Sequence, residues 1–142
     1  MNSDFVVAVH AMVFLHHKAE TVSSEMLAEN ICTNPVRIRR VMARLKKAGL
    51  VETREGRTQG GYSYLKTKRV TLDDISQALN VQFADFTWQS GDRENPCVIA
   101  SGMPDYMDEL KEELNLRCRE YLKTVAIADV ERLLTNRKKA EK

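Results

Sequence analysis

Asn34, Val36, Arg37 and Arg40 lie within seven residues of one another and have side chains suited to touching base edges. An arginine can bridge the O6 and N7 of guanine, and a valine can meet the methyl group of thymine in a major groove. Arg39, Arg44 and Lys47 follow in the same segment. Their positions suit phosphate contacts that set register without reading sequence. Beyond them, Arg54 or Arg57 can enter a minor groove, where a narrow A·T-rich tract attracts arginine.

These residues need a scaffold, and the stretch Asn34 to Tyr62, NPVRIRRVMARLKKAGLVETREGRTQGGY, contains one. Asn34 is a helix cap, and Pro35 supplies the pre-set φ of a first helical residue. Ile38, Val41, Met42 and Leu45 recur at helical spacing and form one apolar stripe. Val36, Arg37, Arg40, Ala43, Arg44 and Lys47 fall on the other side. Ala48-Gly49 ends the helix, with Gly49 suited to a left-handed terminus. Leu50 to Arg54 reads as a strand, Gly60 and Gly61 permit a tight turn, and Tyr62 begins the returning strand through Leu65. Ahead of this lies a short helix, Ser24 to Ile31, with Ser23 as its cap and Val22 against Leu27 as a staple. Met26, Leu27 and Ile31 are expected to face inward, and Cys32 in the following turn to be a small buried filler. A short helix, a tight turn, a basic helix and a basic hairpin together read as a winged helix-turn-helix.

The net charge of +2 conceals a polarity along the chain. Residues 1–69 hold 12 basic against 6 acidic side chains, and residues 70–142 hold 10 against 14. Within 34–69 the count is 11 to 2, the footprint of a surface that meets a polyanion. An isolated basic helix would read as a solvated face; a basic hairpin directly after it favours double-stranded DNA. At 142 residues the chain is one domain, or one small domain with an appendage. It has no apolar run of membrane-spanning length and no secretory signal pattern. Three widely spaced cysteines do not suggest a disulfide framework, so a cytoplasmic protein with reduced thiols is expected.

The remaining segments frame this reader. Ser3-Asp4 can cap a first helix running to about His17, apolar around most of its circumference and therefore buried on more than one side. His10, His16 and His17 lie on or beside it without a completing metal set, and packed or surface histidines are expected. Thr71 starts a helix from Leu72 to Leu79, with Asp74 placed to complete a capping box. Asn80 to Trp88 fits either an extended or an irregular segment, and Gln89 to Pro104 reads as a loop containing Cys97. From there Met103, Met107, Leu110, Leu114, Cys118, Tyr121 and Val125 form nearly a heptad seam. A helix of about 20 residues with one narrow apolar seam requires a partner, the simplest being the same helix of a second subunit. A shorter helix, about Ala128 to Leu134, and a frayed tail from Asn136 complete the chain. The expected fold is mainly α with a small β-hairpin wing: a winged helix-turn-helix over 1–80, a sensor or connector loop over 81–104, and a long dimerisation helix with a short terminal helix over 105–135.

Nearly the whole chain resembles the Rrf2-type transcriptional regulators. The likeness rests on RLKKAGLVETREGRTQGGYSYLK, on VTLDDISQAL just after it, and on LNLRCREYLKTVAIADVERLL near the C-terminus. It implies a homodimer in which a long C-terminal helix crosses to the partner, acting as a repressor on a palindromic operator. The wing is one residue longer than the family pattern, with Thr58-Gln59 where Pro-Gly is common, so the resemblance does not single out the wing arginine. Cluster-binding members carry three cysteines about five residues apart in the loop before the dimerisation helix. Here only Cys97 is present, with Gly91 and Met103 six residues to either side. An iron–sulfur cluster wants four ligands, mostly thiolates, so no cofactor is expected.

Cys97 then has two readings: a redox or thiol sensor favoured by its polar loop next to a helix start, or a leftover of a cluster loop. A third possibility places control with a small metabolite or protein partner, for which the Trp88 to Met103 loop is the natural pocket wall. The sequence carries no nucleophile elbow, phosphate-cradling loop or metal motif, which argues against an enzyme.

Overall fold

The computed structural model describes residues 2–56 and 60–141. Among them run six α-helices and one hairpin: α1 (Ser3–Lys18), α2 (Ser24–Ile31), α3 (Pro35–Lys47), β1 (Val51–Arg54), β2 (Gly61–Tyr64), α4 (Leu72–Ala78), α5 (Val98–Leu122) and α6 (Ile127–Ala140). None of these helices is long and apolar enough to cross a membrane. The chain divides into two units, one drawn from 1–81 and 122–142, the other from 82–121.

The first unit is built around one apolar cluster. Ala8, Ala11, Met12 and Leu15 of α1 meet Leu27 of α2, Ile38, Val41, Met42 and Leu45 of α3, Ile75 of α4 and Ile127 of α6. The stripe expected on α3 is therefore buried in full, and each such side chain contributes about 1.5–3 kcal/mol relative to exposure. Local signals set the helix ends. Ser23 Oγ accepts from the Met26 amide, Asn34 Oδ1 accepts from the Arg37 amide, and Thr71 and Asp74 form a reciprocal capping box. After α3, Gly49 takes φ +77°, the left-handed conformation that suits glycine at a helix end. Lys68 Nζ donates to the Gly49 carbonyl at 3.3 Å, placing a cation at the helix C-terminus. β1 and β2 pair antiparallel, with Val51 opposite Tyr64 and Arg54 opposite Gly61.

Several local expectations change. Asn2, not Ser3 or Asp4, occupies the N-cap of α1 and makes no side-chain cap bond, while the Asp4 carboxylate pairs with Arg37. Cys32 is exposed rather than a buried filler. It adopts a left-handed conformation at φ 66° that ends α2 and turns the chain toward α3. Met26 also faces outward, leaving Leu27 as the buried residue of that pair. The last helix, α6, is twice the expected segment and stays helical through Ala140, where a frayed tail was expected. It packs against α1, one side of which is buried in the core while Val6, Val9 and Val13 line an apolar groove beside α6.

In the second unit α5 begins at Val98, inside the segment read as a loop, and passes through Pro104. Proline lacks the amide that would bond the carbonyl four residues earlier, which here belongs to Ala100. That carbonyl instead accepts from the Asp92 amide at 2.9 Å. The substitution depends on Gly91 at φ +73°, where an added Cβ would lie 2.1 Å from the same carbonyl oxygen. The irregular segment before it is held by Asn115, whose side chain accepts from the Ala84 amide and donates to the Ala84 carbonyl, both at 2.9 Å. One side-chain amide thus serves as a strand partner, so the loose alternation of Val81, Phe83 and Phe86 produces no strand. Val125 lies past the end of α5, in the turn to α6, where its carbonyl accepts from Leu72.

Candidate nucleic-acid interface

The N-terminal end of α3 presents Asn34, Val36 and Arg40 to solvent, with Val36 65% exposed. An apolar side chain so exposed has no core role, whereas the opposite stripe is fully buried. Arg37 and Arg40, one turn apart, both point toward Asp4 of α1. Its Oδ1 lies 3.0 Å from Nη2 of Arg37 and 3.1 Å from Nη2 of Arg40. Burial alone would raise the Asp4 carboxyl, but hydrogen bonds and charge from Arg37 and Arg40 outweigh it and hold it below its ordinary value.

Other basic residues of α3 divide by role. Arg39 reaches α2, 3.4 Å from Ser24 Oγ and 3.9 Å from the Glu25 carboxylate. Arg44 donates to the Leu79 carbonyl at 2.7 Å, capping the end of α4; this side chain has a structural task the sequence did not reveal. Lys47 lies exposed in the last turn.

The hairpin is fixed to the helical body by an exchange of backbone hydrogen bonds between Val22 and Tyr62, at 2.8 and 2.9 Å. At Gly61 an added Cβ would come within 2.2 Å of the Val22 carbonyl, so the close approach itself demands glycine. Tyr62 is half-buried, and burial pushes its phenol up despite the nearby Arg39; its role is to anchor the wing. Arg54 is exposed at the end of β1, next to Gly60 and a shallow cleft bordered by Ser23, Ser24 and Glu25 of α2. Arg57 lies outside the described residues. Arg37, Arg39, Arg40, Lys47 and Arg54 thus stand on two adjoining elements, α3 and the hairpin. Asp4 was missed as a partner of this surface; it is 33 residues from Arg37, and no local pattern links them.

The histidines expected to be packed or exposed are engaged with polar groups. His16 and His17 both meet the Glu131 carboxylate of α6 through Nδ1, and His10 Nε2 contacts Asn30 Oδ1 at 2.8 Å. His16 also stands edge-on to Tyr64 of β2, with ring centroids 4.8 Å apart. Between α1 and α6 runs an apolar groove of about 670 Å³, lined by Phe5, Val6, Val9, Val13, Val130 and Leu134. None of its lining residues comes from the Trp88–Met103 segment, the expected pocket wall.

In the second unit Cys97 is fully exposed immediately before α5. Its carbonyl accepts from the Ser101 amide, and the amides of Ala100 and Ile99 hold its thiol below the ordinary value. Met107, Leu110 and Cys118 are half-buried along α5, while Leu114 and Tyr121 are exposed.

The model of the Rrf2 family, described as an iron-dependent transcriptional regulator, matches residues 1–132. YwnA of Bacillus subtilis, named as an HTH-type transcriptional regulator, is 28% identical over 133 residues, covering 92% of this chain and 96% of YwnA. A crystal structure from Lactobacillus plantarum, described as a transcriptional regulator, superposes with TM-score 0.79 at 26% identity, over 95% of this chain and 91% of that one. T. potens IscR shares the fold, with TM-score 0.67 at 22% identity over 100% and 90% of the two chains.

The iron in the family description can be tested against the donors present. A thiolate-held cluster needs several sulfurs brought together at one place. Cys97 is alone in its segment, and Cys118 stands about 30 Å farther along α5. Among the described residues no three His, Cys, Asp or Glu side chains are grouped to hold a metal ion. The donor set does not fit a cluster of that kind, although the rest of the chain matches. With its buried helix-turn-helix core, its basic α3 and its hairpin wing, the chain is a transcriptional regulator of the Rrf2 family.

Proposed function

We propose that this regulator is a cytoplasmic homodimeric repressor that reads a palindromic DNA operator through α3 and the wing. One observation carries the reading: the end of α3 that exposes Asn34, Val36 and Arg40 is the end whose other face is locked into the core. A rigid helix with free polar groups at its front is what base-edge readout requires. In this reading Asn34, Val36, Arg37 and Arg40 reach bases, with Pro35 setting the helix start. Arg39, Lys47 and the remaining donors of Arg44 meet phosphate, and Arg54 or Arg57 enters the minor groove beside Gly60, Gly61 and Tyr62.

The labour is divided as reader (1–80), connector (81–104) and dimerisation region (105–135). The exposed apolar residues Leu114 and Tyr121, with Met107, Leu110 and Cys118 beside them, supply the seam. The seam takes the same helix of a second copy as its partner, as in a two-fold dimer. Selection of bound sequences from a random duplex pool, with sedimentation of the complex, tests this. The expected product is a two-fold symmetric site with two chains bound. A monomer on an asymmetric site, or no enrichment, rejects the proposal.

A thiol response through Cys97 is favoured by its full exposure and by the amides that stabilise its thiolate. Operator binding by Cys97→Ser with and without oxidant tests it, and an unchanged oxidant response in the variant removes the idea. Control by a small metabolite or protein partner is the alternative; a thermal-shift screen with thiols and sulfur metabolites separates the two.

A further inference from the structure

Two arginines one turn apart on a helix repel each other and, if unrestrained, sample many rotamers. At the front of α3 that outcome is prevented by one carboxylate from another helix. Oδ1 of Asp4 accepts from Nε of Arg37 and from Nη2 of Arg40, both at 3.1 Å, and lies 3.0 Å from Nη2 of Arg37 in the ion pair. Oδ2 adds a weaker contact to Arg40 at 3.4 Å. The Arg37 side chain is only 28% exposed under this arrangement, while that of Arg40 remains 61% exposed. Both guanidinium groups keep donors facing away from Asp4, since each uses only one edge or one amino group on it.

We infer that Asp4 is a positioning residue for sequence recognition, holding Arg37 and Arg40 in one arrangement while cancelling one of their two charges. The inference rests on α3 being the DNA reader. Its consequence is a division between two kinds of affinity. Attraction to any polyanion scales with the number of unpaired cations, which Asp4 lowers by one. Discrimination among bases depends on fixed donors at the base edge, which Asp4 provides. Asp4 therefore weakens binding to random DNA and sharpens preference for the operator.

The test uses the full-length chain as wild type, Asp4→Asn and Asp4→Glu, binding a pool-selected duplex and a random duplex across a salt series, with a thermal melt of each. Asp4→Asn is expected to bind random duplex several-fold more tightly at low salt, with a slope of log K against log salt steeper by about 0.9. Its operator-to-random ratio falls by about tenfold. Asp4→Glu, with the charge kept and the carboxylate moved by one methylene, keeps the wild-type slope and loses about threefold of the ratio. In an Arg37→Ala, Arg40→Ala background Asp4→Asn changes neither quantity, which a general loss of helix stability would not reproduce. Should Asp4→Asn fail to fold, Asp4→Glu carries the test alone. A ratio unchanged or raised in the folded variants overturns the inference. A wild-type chain that enriches no sequence at all refutes the reader itself, and this is seen before any Asp4 variant is measured.

Discussion

The dipeptide Asn-Pro opens two helices in this chain, with opposite results. At Asn34-Pro35 the asparagine accepts from the amide three residues on, proline is the first helical residue, and the next turns are nailed to the core by Ile38, Val41, Met42 and Leu45. At Asn95-Pro96 the asparagine accepts from the amide two residues on, at Cys97, and the helix waits until Val98. There every residue from 91 to 99 is exposed, and the start is held by the Asp92–Ala100 backbone bond. The same dipeptide thus makes a rigid platform where an apolar stripe follows, and an exposed thiol-bearing turn where none does. Burial, not the cap, separates the reader from the candidate sensor.

That difference can be pressed hardest at the core. The Leu45 side chain is fully buried, so Leu45→Ala is expected to cost about 2–5 kcal/mol in urea unfolding. On α5 the Leu114 side chain is 40% exposed. Leu114→Ala should therefore cost less than about 1 kcal/mol and register instead as weaker self-association in sedimentation. Near-equal losses of stability would break the contrast.

Gly91→Ala comes next, since its Cβ would press on the carbonyl that substitutes for the missing Pro104 bond. A cost of about 1–3 kcal/mol is expected, with faster hydrogen exchange at the Asp92 amide. At Gly49, where φ is also positive, the nearest atom to a Cβ is the flexible end of Lys68 at 3.8 Å. Gly49→Ala should accordingly cost only about 1 kcal/mol. Smaller again, Asn34→Ala removes a true N-cap and should cost about 1 kcal/mol. Asn95→Ala, which removes only a contact two residues on, should cost less.

The smallest effect is chemical. The thiol of Cys97 is held below its ordinary value, so its alkylation rate should rise and level off at lower pH than that of an unstructured cysteine peptide. Mass spectrometry should find Cys97 modified before the half-buried Cys118. A Cys97 rate that tracks the free peptide across pH would remove the special status of this turn.

The sequence was legible where local chemistry and burial agree. Ser23, Asn34, Thr71 with Asp74, and the stripe of α3 were all readable because each signal acts within one or two turns. It misled over Gln89 to Pro104, where a loop-like composition hid the start of α5 at Val98; the carbonyl that Pro104 leaves without a partner, Ala100, accepts from Asp92, twelve residues before the proline. It was silent on Asp4 with Arg37 and Arg40, on Arg44 with Leu79, and on His16 and His17 with Glu131. These are polar contacts between distant segments, and no periodicity encodes them. Cys32 shows a further limit: a small residue in a tight turn can serve its left-handed backbone rather than its side chain.

The central claim is that the front of α3 reads bases while its rear meets phosphate. The direct measurement is binding of Arg40→Ala and Lys47→Ala to the selected operator and to random duplex across a salt series. Arg40→Ala is expected to lose most of the operator preference, whereas Lys47→Ala should weaken both duplexes alike and reduce the salt slope by about one. Equal losses on operator and random DNA for both variants would contradict the account.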